Sequence, residues 1–153
     1  ITKYKIMKRA DIIAVIIEEQ KAVVDSLKQT VNRYKIASDL DEESTHDPED
    51  FSHQAQAKDM QLRYEKTLKE AELSLAFLEN ELKEKHDKIE RGTIVETDKN
   101  YLFVGISVPS FQFENKEVIA FSDHAPVFQN IKGKSKGDTV EIGTNSLEIL
   151  NFS

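Results

Sequence analysis

Two long segments of the chain repeat apolar residues at alternating steps of four and three, which is the spacing of a coiled-coil seam. The first segment runs from about Ala10 to Ser38 and the second lies between Phe51 and Arg91; neither contains Gly or Pro. The first seam consists of Ile13, Ile17, Gln20, Val24, Leu27, Val31 and Tyr34, with Gln20 as its one polar position. The second consists of Tyr64, Leu68, Ala71, Leu75, Leu78, Leu82 and Ile89, and Lys85 interrupts it near the end. Each segment is therefore predicted to form one long helix.

The linker between these segments, Asp39 to Thr45, is too short for any arrangement except one in which the helices fold back on each other. The prediction is an antiparallel coiled-coil hairpin, about 45 Å long for helices of roughly 30 residues, with its tip near residues 39–50. A further apolar stripe lies outside the seams and consists of Ile12, Ile16, Val23, Leu62, Leu73 and Phe77. Two interpretations of this stripe are open: it packs against the following domain, or against a second hairpin in a dimeric four-helix bundle.

The apolar period changes at Arg91-Gly92, where β-branched and aromatic runs replace the seam. The predicted strands are Thr93–Glu96, Tyr101–Ile106, Val118–Phe121, Thr139–Ile142 and Leu147–Leu150, with hairpin turns at Asp98–Asn100, Glu114–Lys116 and Gly143–Asn145. A short helix is predicted from Pro126 to Lys132. The fold class is therefore α+β, with a helical hairpin at residues 1–91 and a small, mainly antiparallel β domain at residues 92–153.

The composition restricts the chemistry that the chain can perform. It has 153 residues, no cysteine and a formal net charge of −7. Disulfides, thiolate catalysis and cysteine-ligated zinc are therefore excluded, and the negative charge argues against non-specific nucleic-acid binding. No window approaches the roughly 18 apolar residues of a membrane span, and no signal peptide is recognised. We expect a cytoplasmic protein without a membrane partner.

Acidic residues crowd the predicted tip: Asp39, Asp41, Glu42, Glu43, Asp47, Glu49 and Asp50 lie in one stretch without Lys or Arg. One interpretation is local, because Asp47 suits a helix N-cap, Pro48 the first helical position, and the following acids the positive end of the helix dipole. The other is functional, because clustered carboxylates can hold a hard divalent cation such as Mg²⁺ together with ligands from another molecule. The two interpretations are compatible.

The sequence offers no self-contained active site. His46 and His53 flank the tip, but their spacing matches no strong zinc motif, and solvated polar residues are the simpler interpretation. Ser-His-Asp order, a Gly-rich phosphate loop and paired catalytic acids are not recognisable. We therefore expect an interaction protein and not an enzyme.

The segment from Ile119 to Ile142 resembles the signature of the Gre family of bacterial transcript-cleavage factors. In that family a strand leads through a Ser-Pro turn into a short helix, and a Gly-Lys-x-x-Gly-Asp-x-Val run leads into the next strand. The matching residues are Ser122, Pro126, Gly133, Lys134, Gly137, Asp138 and Val140. Together with the helical hairpin, the acidic tip and the domain order, the resemblance spans essentially the whole chain.

The resemblance implies an FKBP-like C-terminal domain that docks on bacterial RNA polymerase and a coiled coil that enters the polymerase's secondary channel. It also implies tip carboxylates that assist the polymerase's own active site, share its Mg²⁺ and approach the nascent RNA only indirectly. The corresponding catalytic candidates are Asp47, Asp50, Glu49 and Glu43, with Asp47 and Asp50 as metal ligands. The implied polymerase-binding residues are Ser122, Asp123, Pro126 and Phe128, although the helix that carries Phe128 can equally pack on its own sheet.

The tip departs from the family pattern, in which an Asp is followed three positions later by Glu and then by Asn. Here Asp47 and Asp50 have that spacing, but Asp replaces Glu and Phe51 replaces Asn. The leading hypothesis is a factor that stimulates cleavage of backtracked RNA by the polymerase. The alternatives are a Gre homologue that modulates or inhibits the polymerase without cleavage, and a coiled-coil dimeric adaptor. A monomer is expected, with a homodimer as the alternative.

Overall fold

A computed structural model describes residues 8–39 and 48–153, and it shows an α+β fold in which a helical hairpin is followed by a mixed sheet. The elements are α1 (Arg9–Asp39), α2 (Pro48–Glu81), β1 (Ile94–Thr97), β2 (Asn100–Gly105), β3 (Phe111–Phe113), β4 (Lys116–Ser122), α3 (Pro126–Ile131), β5 (Thr139–Ile142) and β6 (Asn145–Phe152). Among these described residues, no helix carries an apolar stretch long enough to cross a lipid bilayer.

Contacts divide the chain into two compact units that do not coincide with the predicted division at residue 91. One unit, called here the hairpin unit, is Gln20–Ala76. The other, called the sheet unit, combines the described residues up to Glu19 with Phe77–Ser153. The sheet unit is therefore built from both ends of the chain, and the hairpin unit from one continuous segment.

The hairpin unit confirms the prediction of two antiparallel helices. Going along α1 from Gln20 to Tyr34, the facing residue on α2 moves backwards from Ala71 to Tyr64. The Gln20 amide donates a hydrogen bond of 3.0 Å to the Ala71 carbonyl, so Gln20, the one polar position of the first seam, is buried with a partner. The Tyr34 and Tyr64 rings stack with centroids 5.5 Å apart. Pro48 is the first described residue of α2, and Asp47, the predicted N-cap, lies outside the described residues.

The prediction that the second helix continues through Ile89 is wrong, because α2 ends at Glu81. Leu82 lies in the turn that follows, and the chain up to Thr93 is irregular. Ile89 is nevertheless a core residue, because its side chain is buried in the core of the sheet unit. The apolar repeat therefore continues beyond the end of the helix, because Ile89, its last position, packs in the core of the sheet unit.

The sheet has the strand order β3-β4-β2-β1-β6-β5. It is mixed, which corrects the prediction of an antiparallel domain: β2 and β4 are parallel, with Phe103 opposite Ala120, whereas the other described pairings are antiparallel. The strand β3 was not predicted, although its turn was. Glu114 and Asn115 both have positive φ, of 48° and 67°, which suits the tight hairpin between β3 and β4.

Residues on both faces of the central strands are buried. One face forms a core with α3, made of Ile89, Val95, Leu102, Val104, Phe121, Phe128, Ile131, Val140, Leu147 and Ile149. On the other face Phe77 approaches Gly105 so closely that a Cβ there would lie 2.9 Å from the Phe77 ring. The Arg91 guanidinium lies 3.8 Å from the centre of the same ring. Burial on both faces explains why β1 and β2 lack a clear alternation of polar and apolar residues.

Arg9 forms a buried hydrogen-bond network in the sheet unit. Its guanidinium donates to the carbonyl oxygens of Glu81, Glu84, Gly92 and Ser153 at 2.7–3.1 Å, and to the Glu81 carboxylate at 2.6 Å. Burial lowers the pKa of Arg9 and the Glu81 carboxylate opposes that shift. Glu81 is the last residue of α2, and its carbonyl also accepts a hydrogen bond of 3.2 Å from the Glu84 N–H. Arg9 adds a donor to this carbonyl and supplies one to the Glu84 carbonyl, so it caps the helix end.

His86 extends this network. One ring nitrogen lies 2.8 Å from the Glu81 carboxylate and the other 3.2 Å from the Glu90 carboxylate. Because Glu81 contacts both Arg9 and His86, its carboxylate joins α1, the end of α2 and the irregular segment after it. The irregular segment between α2 and β1 is thus held by polar contacts as well as by apolar packing.

We expect Arg9→Ala to lower the free energy of unfolding by about 3–5 kcal/mol, because it removes the charged partner of the buried Glu81 carboxylate and the donor of several carbonyls. Urea denaturation followed by circular dichroism measures this loss. Arg63→Ala is the matched control, since Arg63 pairs with Asp59 on an exposed part of α2; its cost should stay below about 1 kcal/mol. Equal costs for the two variants would contradict the structural role of Arg9.

Gly92→Ala should also destabilise the protein, by about 2 kcal/mol or more. Gly92 has φ of +100°, and an added Cβ would lie 2.6 Å from the Glu81 carboxylate. Gly143→Ala is the control: Gly143 also has positive φ, of +63°, but its Cβ would meet open space, so only the backbone term of roughly 1 kcal/mol applies. A double-mutant cycle with Arg9→Ala should be non-additive, since both changes displace the same carboxylate.

Candidate functional site: the hairpin end and the turn before α3

The predicted acidic tip is covered only in part by the described residues. Glu43 and Asp47 lie outside them, so their predicted roles stay predictions. Glu49 and Asp50 belong to the first turn of α2, and Glu49 is exposed. Within residues 8–39 and 48–153, no group of three or more His, Asp or Glu side chains could hold a metal ion. The predicted Mg²⁺ pair includes Asp47, so this finding does not bear on it.

A polar network fixes the two helices to each other next to the acidic stretch. The Gln54 amide donates a hydrogen bond of 2.9 Å to the Ser38 carbonyl and so caps the end of α1. The buried Ser38 hydroxyl donates to the Lys35 carbonyl at 2.9 Å and lies 3.3 Å from the Gln61 side-chain oxygen. Gln61 in turn donates to the Glu65 carboxylate at 2.9 Å. The hairpin therefore keeps its register up to the residue before the acidic stretch.

Sequence reasoning missed this network, although the seam contained the signal. Ser38 lies four residues after Tyr34, the last position of the first seam, and Gln61 lies three residues before Tyr64, the first position of the second. Extending each seam by one step would have brought these two polar side chains together. Polar residues at seam positions are a known device for fixing the register of a coiled coil.

Beside the network, the hairpin end carries an exposed aromatic ring. Phe51 is 64% exposed in the second turn of α2. It lines an open cavity of about 310 Å³ together with Ser38, Asp39, Gln54, Ala55 and Lys58. This part of the hairpin end thus combines an apolar ring, a carboxylate and an amine.

The turn between β4 and α3 carries the residues predicted to bind a partner. The Ser122 hydroxyl accepts a hydrogen bond of 3.1 Å from the His124 backbone N–H, and the Ser122 carbonyl accepts one of 2.9 Å from Ala125. Pro126 is the first residue of α3 and is exposed, while Ser122 and Asp123 are half-buried. The turn is therefore shaped by its own hydrogen bonds and presents Asp123, His124 and Pro126 at its surface.

Phe128, the fourth residue of the predicted docking set, belongs to the core. It is 9% exposed and packs in the cluster on the α3 face of the sheet. Packing of α3 on its own sheet was the alternative that the sequence left open, and the structure has this arrangement. Phe128 therefore anchors the start of α3 in the core, and most of its ring is withdrawn from the surface.

The residues of the Gly-Lys-x-x-Gly-Asp-x-Val run have structural functions. Gly133 and Gly137 both have positive φ, of 78° and 88°. The Asp138 carboxylate accepts a hydrogen bond of 2.7 Å from the Ser135 N–H, and Val140 is buried in the core. Lys132, Lys134 and Lys136 are exposed along this segment. The run therefore explains how the chain passes from α3 into β5.

Comparison with known proteins gives no independent identification: no protein-family model matches the sequence, and no curated protein matches it significantly.

Phe128→Ala should cost about 3 kcal/mol of unfolding free energy, because it opens a cavity in the core of the sheet unit. Asp123→Ala, in the same turn, should change stability by less than about 0.5 kcal/mol. Thermal unfolding of both variants separates the two roles. A Phe128→Ala variant as stable as the wild type would contradict the packing of this ring in the core.

Proposed function

We propose that this protein is a Gre-like transcription elongation factor, which binds bacterial RNA polymerase and stimulates cleavage of backtracked RNA. In this proposal residues 92–153 are an FKBP-like docking domain, and the hairpin carries the acidic stretch into the secondary channel. The protein acts as an accessory factor, and the polymerase supplies the active site.

The observation that carries the proposal is the polar network at the hairpin end. The helices α1 and α2 have 31 and 34 residues, equivalent to about 46 and 51 Å of helix. A factor that delivers carboxylates into a distant site needs a hairpin that does not fray where the carboxylates begin. The Ser38, Gln54 and Gln61 contacts supply that stiffness immediately before residues 39–50.

The docking part of the proposal rests on the turn before α3. Asp123, His124 and Pro126 form its outer surface, and the Ser122 bonds hold that surface in one conformation. A preformed turn loses little conformational entropy on binding, which favours recognition by a rigid partner. Phe128 supports the turn through the core.

In the proposed mechanism Asp47 and Asp50 would hold a Mg²⁺ shared with the polymerase, and this ion would activate a water molecule and stabilise charge on the transferred phosphorus. Glu49 and Glu43 are the additional carboxylates of the same stretch. Their part is to hold and orient water at the entry of the polymerase site. The carboxylates contribute only when polymerase supplies the remaining ligands, which is consistent with a sequence that lacks a complete active site.

A second candidate function is supported by Phe51. This residue follows Asp50, at the position where the resembled family has Asn, and its ring is 64% exposed. A large apolar ring beside the proposed ion would exclude water that cleavage needs. The second candidate is therefore a Gre homologue that occupies the same channel and modulates or inhibits the polymerase without promoting cleavage.

The proposal is tested by RNA cleavage in a backtracked bacterial elongation complex. We expect the wild type to accelerate cleavage, and Asp47→Asn/Asp50→Asn to reduce that acceleration at least about tenfold, because the ion loses its protein ligands. Glu72→Gln is the control, since Glu72 is an exposed acid elsewhere on α2. Polymerase binding, measured separately, should survive in both variants.

Three outcomes separate the candidates. Polymerase binding without acceleration by the wild type would overturn cleavage stimulation and favour the inhibitory homologue; Phe51→Asn should then restore part of the cleavage. Equal activity of the wild type and the Asp47→Asn/Asp50→Asn variant would overturn the role of these carboxylates. Absence of polymerase binding would overturn both candidates.

A further inference from the structure

One face of α2 in the hairpin unit is exposed along six turns of the helix and carries only apolar and lysine side chains. Its large members are Phe51, Leu62 and Leu73, which are 64%, 54% and 64% exposed, and Lys58, Lys66 and Lys69, which are all exposed. We call these six residues the α2 stripe. Eleven residues make about three helical turns, so Phe51, Leu62 and Leu73 recur on the same side of the helix.

The α2 stripe is not used by the hairpin itself. The side of α2 that contacts α1 carries Gln61, Tyr64 and Ala71, which lie on the other side of the helix. Within the described residues the three stripe lysines form no ion pair. The stripe is about 33 Å long from Phe51 to Leu73. Its three exposed apolar side chains form a larger apolar surface than an isolated exposed residue does.

The three large apolar residues of the stripe are placed symmetrically about Leu62. Phe51 lies eleven residues before Leu62 and Leu73 eleven residues after it. Two antiparallel copies of α2 with a two-fold axis at Leu62 would therefore place Leu62 against Leu62, and Phe51 of each copy against Leu73 of the other. An isologous contact of this kind buries all three large apolar side chains in one interface.

The charges around Leu62 have the same symmetry. Lys58, at one edge of the stripe, has Glu65 on its side of the helix, and Lys66, at the other edge, has Asp59 on its side. When a two-fold axis relates antiparallel helices, each side of one helix faces the same side of its partner. Lys58 of one copy would thus lie opposite Glu65 of the second copy, and Asp59 opposite Lys66, which gives four opposite-charge pairs around the Leu62 contact.

We propose that the α2 stripe is a self-association surface, on which α2 of a second copy of this chain packs antiparallel with Leu62 at the two-fold axis. This inference goes beyond the proposed function and does not depend on it. Two single helices in contact bury less than a standard protein interface, so the dimer forms in the micromolar range of concentration or above it. In the dimer Phe51 is covered, so self-association competes with any partner that uses the hairpin end.

A second copy fits the stripe better than a phosphate-rich surface does. The chain has a net charge of −7, and Asp59 and Glu65 lie directly beside the lysines. Anionic lipid or nucleic acid would be repelled by these carboxylates, whereas a second copy uses each of them as a partner for a lysine. The stripe also lacks the dense apolar face that membrane-surface helices present.

The association is tested by sedimentation velocity of the full chain over a range of concentrations. The wild type should form a concentration-dependent dimer. Leu62→Glu should abolish it without loss of helix content, since Leu62 is exposed in the single chain. Ile36→Glu, at a comparably exposed apolar position on α1 (49% exposed), is the matched control and should dimerise like the wild type.

Charge reversal tests the register. Lys58→Glu should weaken the dimer by roughly tenfold, because it places two like-charged pairs at the interface. The double variant Lys58→Glu/Glu65→Lys should restore it, since the opposite-charge pairs return with exchanged positions. Residues 58 and 65 are too far apart along one helix for an intramolecular pair at three or four residues, so rescue reports the contact between copies.

A covalent test uses the absence of cysteine from the chain. The variant Leu62→Cys should form a disulfide-linked dimer under mild oxidation, whereas Ile36→Cys should not. A wild type that stays monomeric at high concentration would overturn the proposal, as would a dimer that Leu62→Glu leaves intact. A monomer that binds anionic vesicles through the stripe lysines would overturn it in favour of a lipid surface.

Discussion

The sheet unit depends on the buried contact between the Arg9 guanidinium and the end of α2. A buried charge costs several kcal/mol unless every donor finds an acceptor, and Arg9 meets this condition with four backbone carbonyls and the Glu81 carboxylate. The same contacts connect the end of α2 to Gly92, which lies just before β1. One side chain thus joins the end of the helix to the start of the sheet.

The hairpin unit is specified in a different way, by polar residues placed within an otherwise apolar seam. Gln20 satisfies the Ala71 carbonyl, and Ser38, Gln54 and Gln61 satisfy one another at the hairpin end. Apolar seams alone tolerate a shift of one helix along the other, whereas a shift here would leave buried polar groups without partners. The register of the two helices up to Ser38 is consequently fixed by hydrogen bonds.

The sequence predicted the features that depend on local periodicity and failed for those that depend on distant contacts. Both helices, their antiparallel pairing, the hairpin turns and α3 were predicted from spacing and turn residues. The end of α2 was not predicted. Its contact with Arg9 spans 72 residues of sequence, and Ile89 continues the apolar repeat because it belongs to the core of the sheet unit. The parallel pairing of β2 with β4 was missed since alternation carries no information on strand direction. In the candidate site, the turn at Ser122 was predicted, but burial of Phe128 required the sheet.

The discontinuity of the sheet unit has a consequence during synthesis of the chain. The hairpin unit can form as soon as its continuous segment leaves the ribosome, but Ile12, Ile13 and Ile16 are buried in a unit whose strands are translated after the hairpin. The strand β6 lies between β1 and β5, so the sheet closes only when β6 emerges. Until then the nascent chain exposes an isoleucine-rich helix start, which is the kind of segment that chaperones bind.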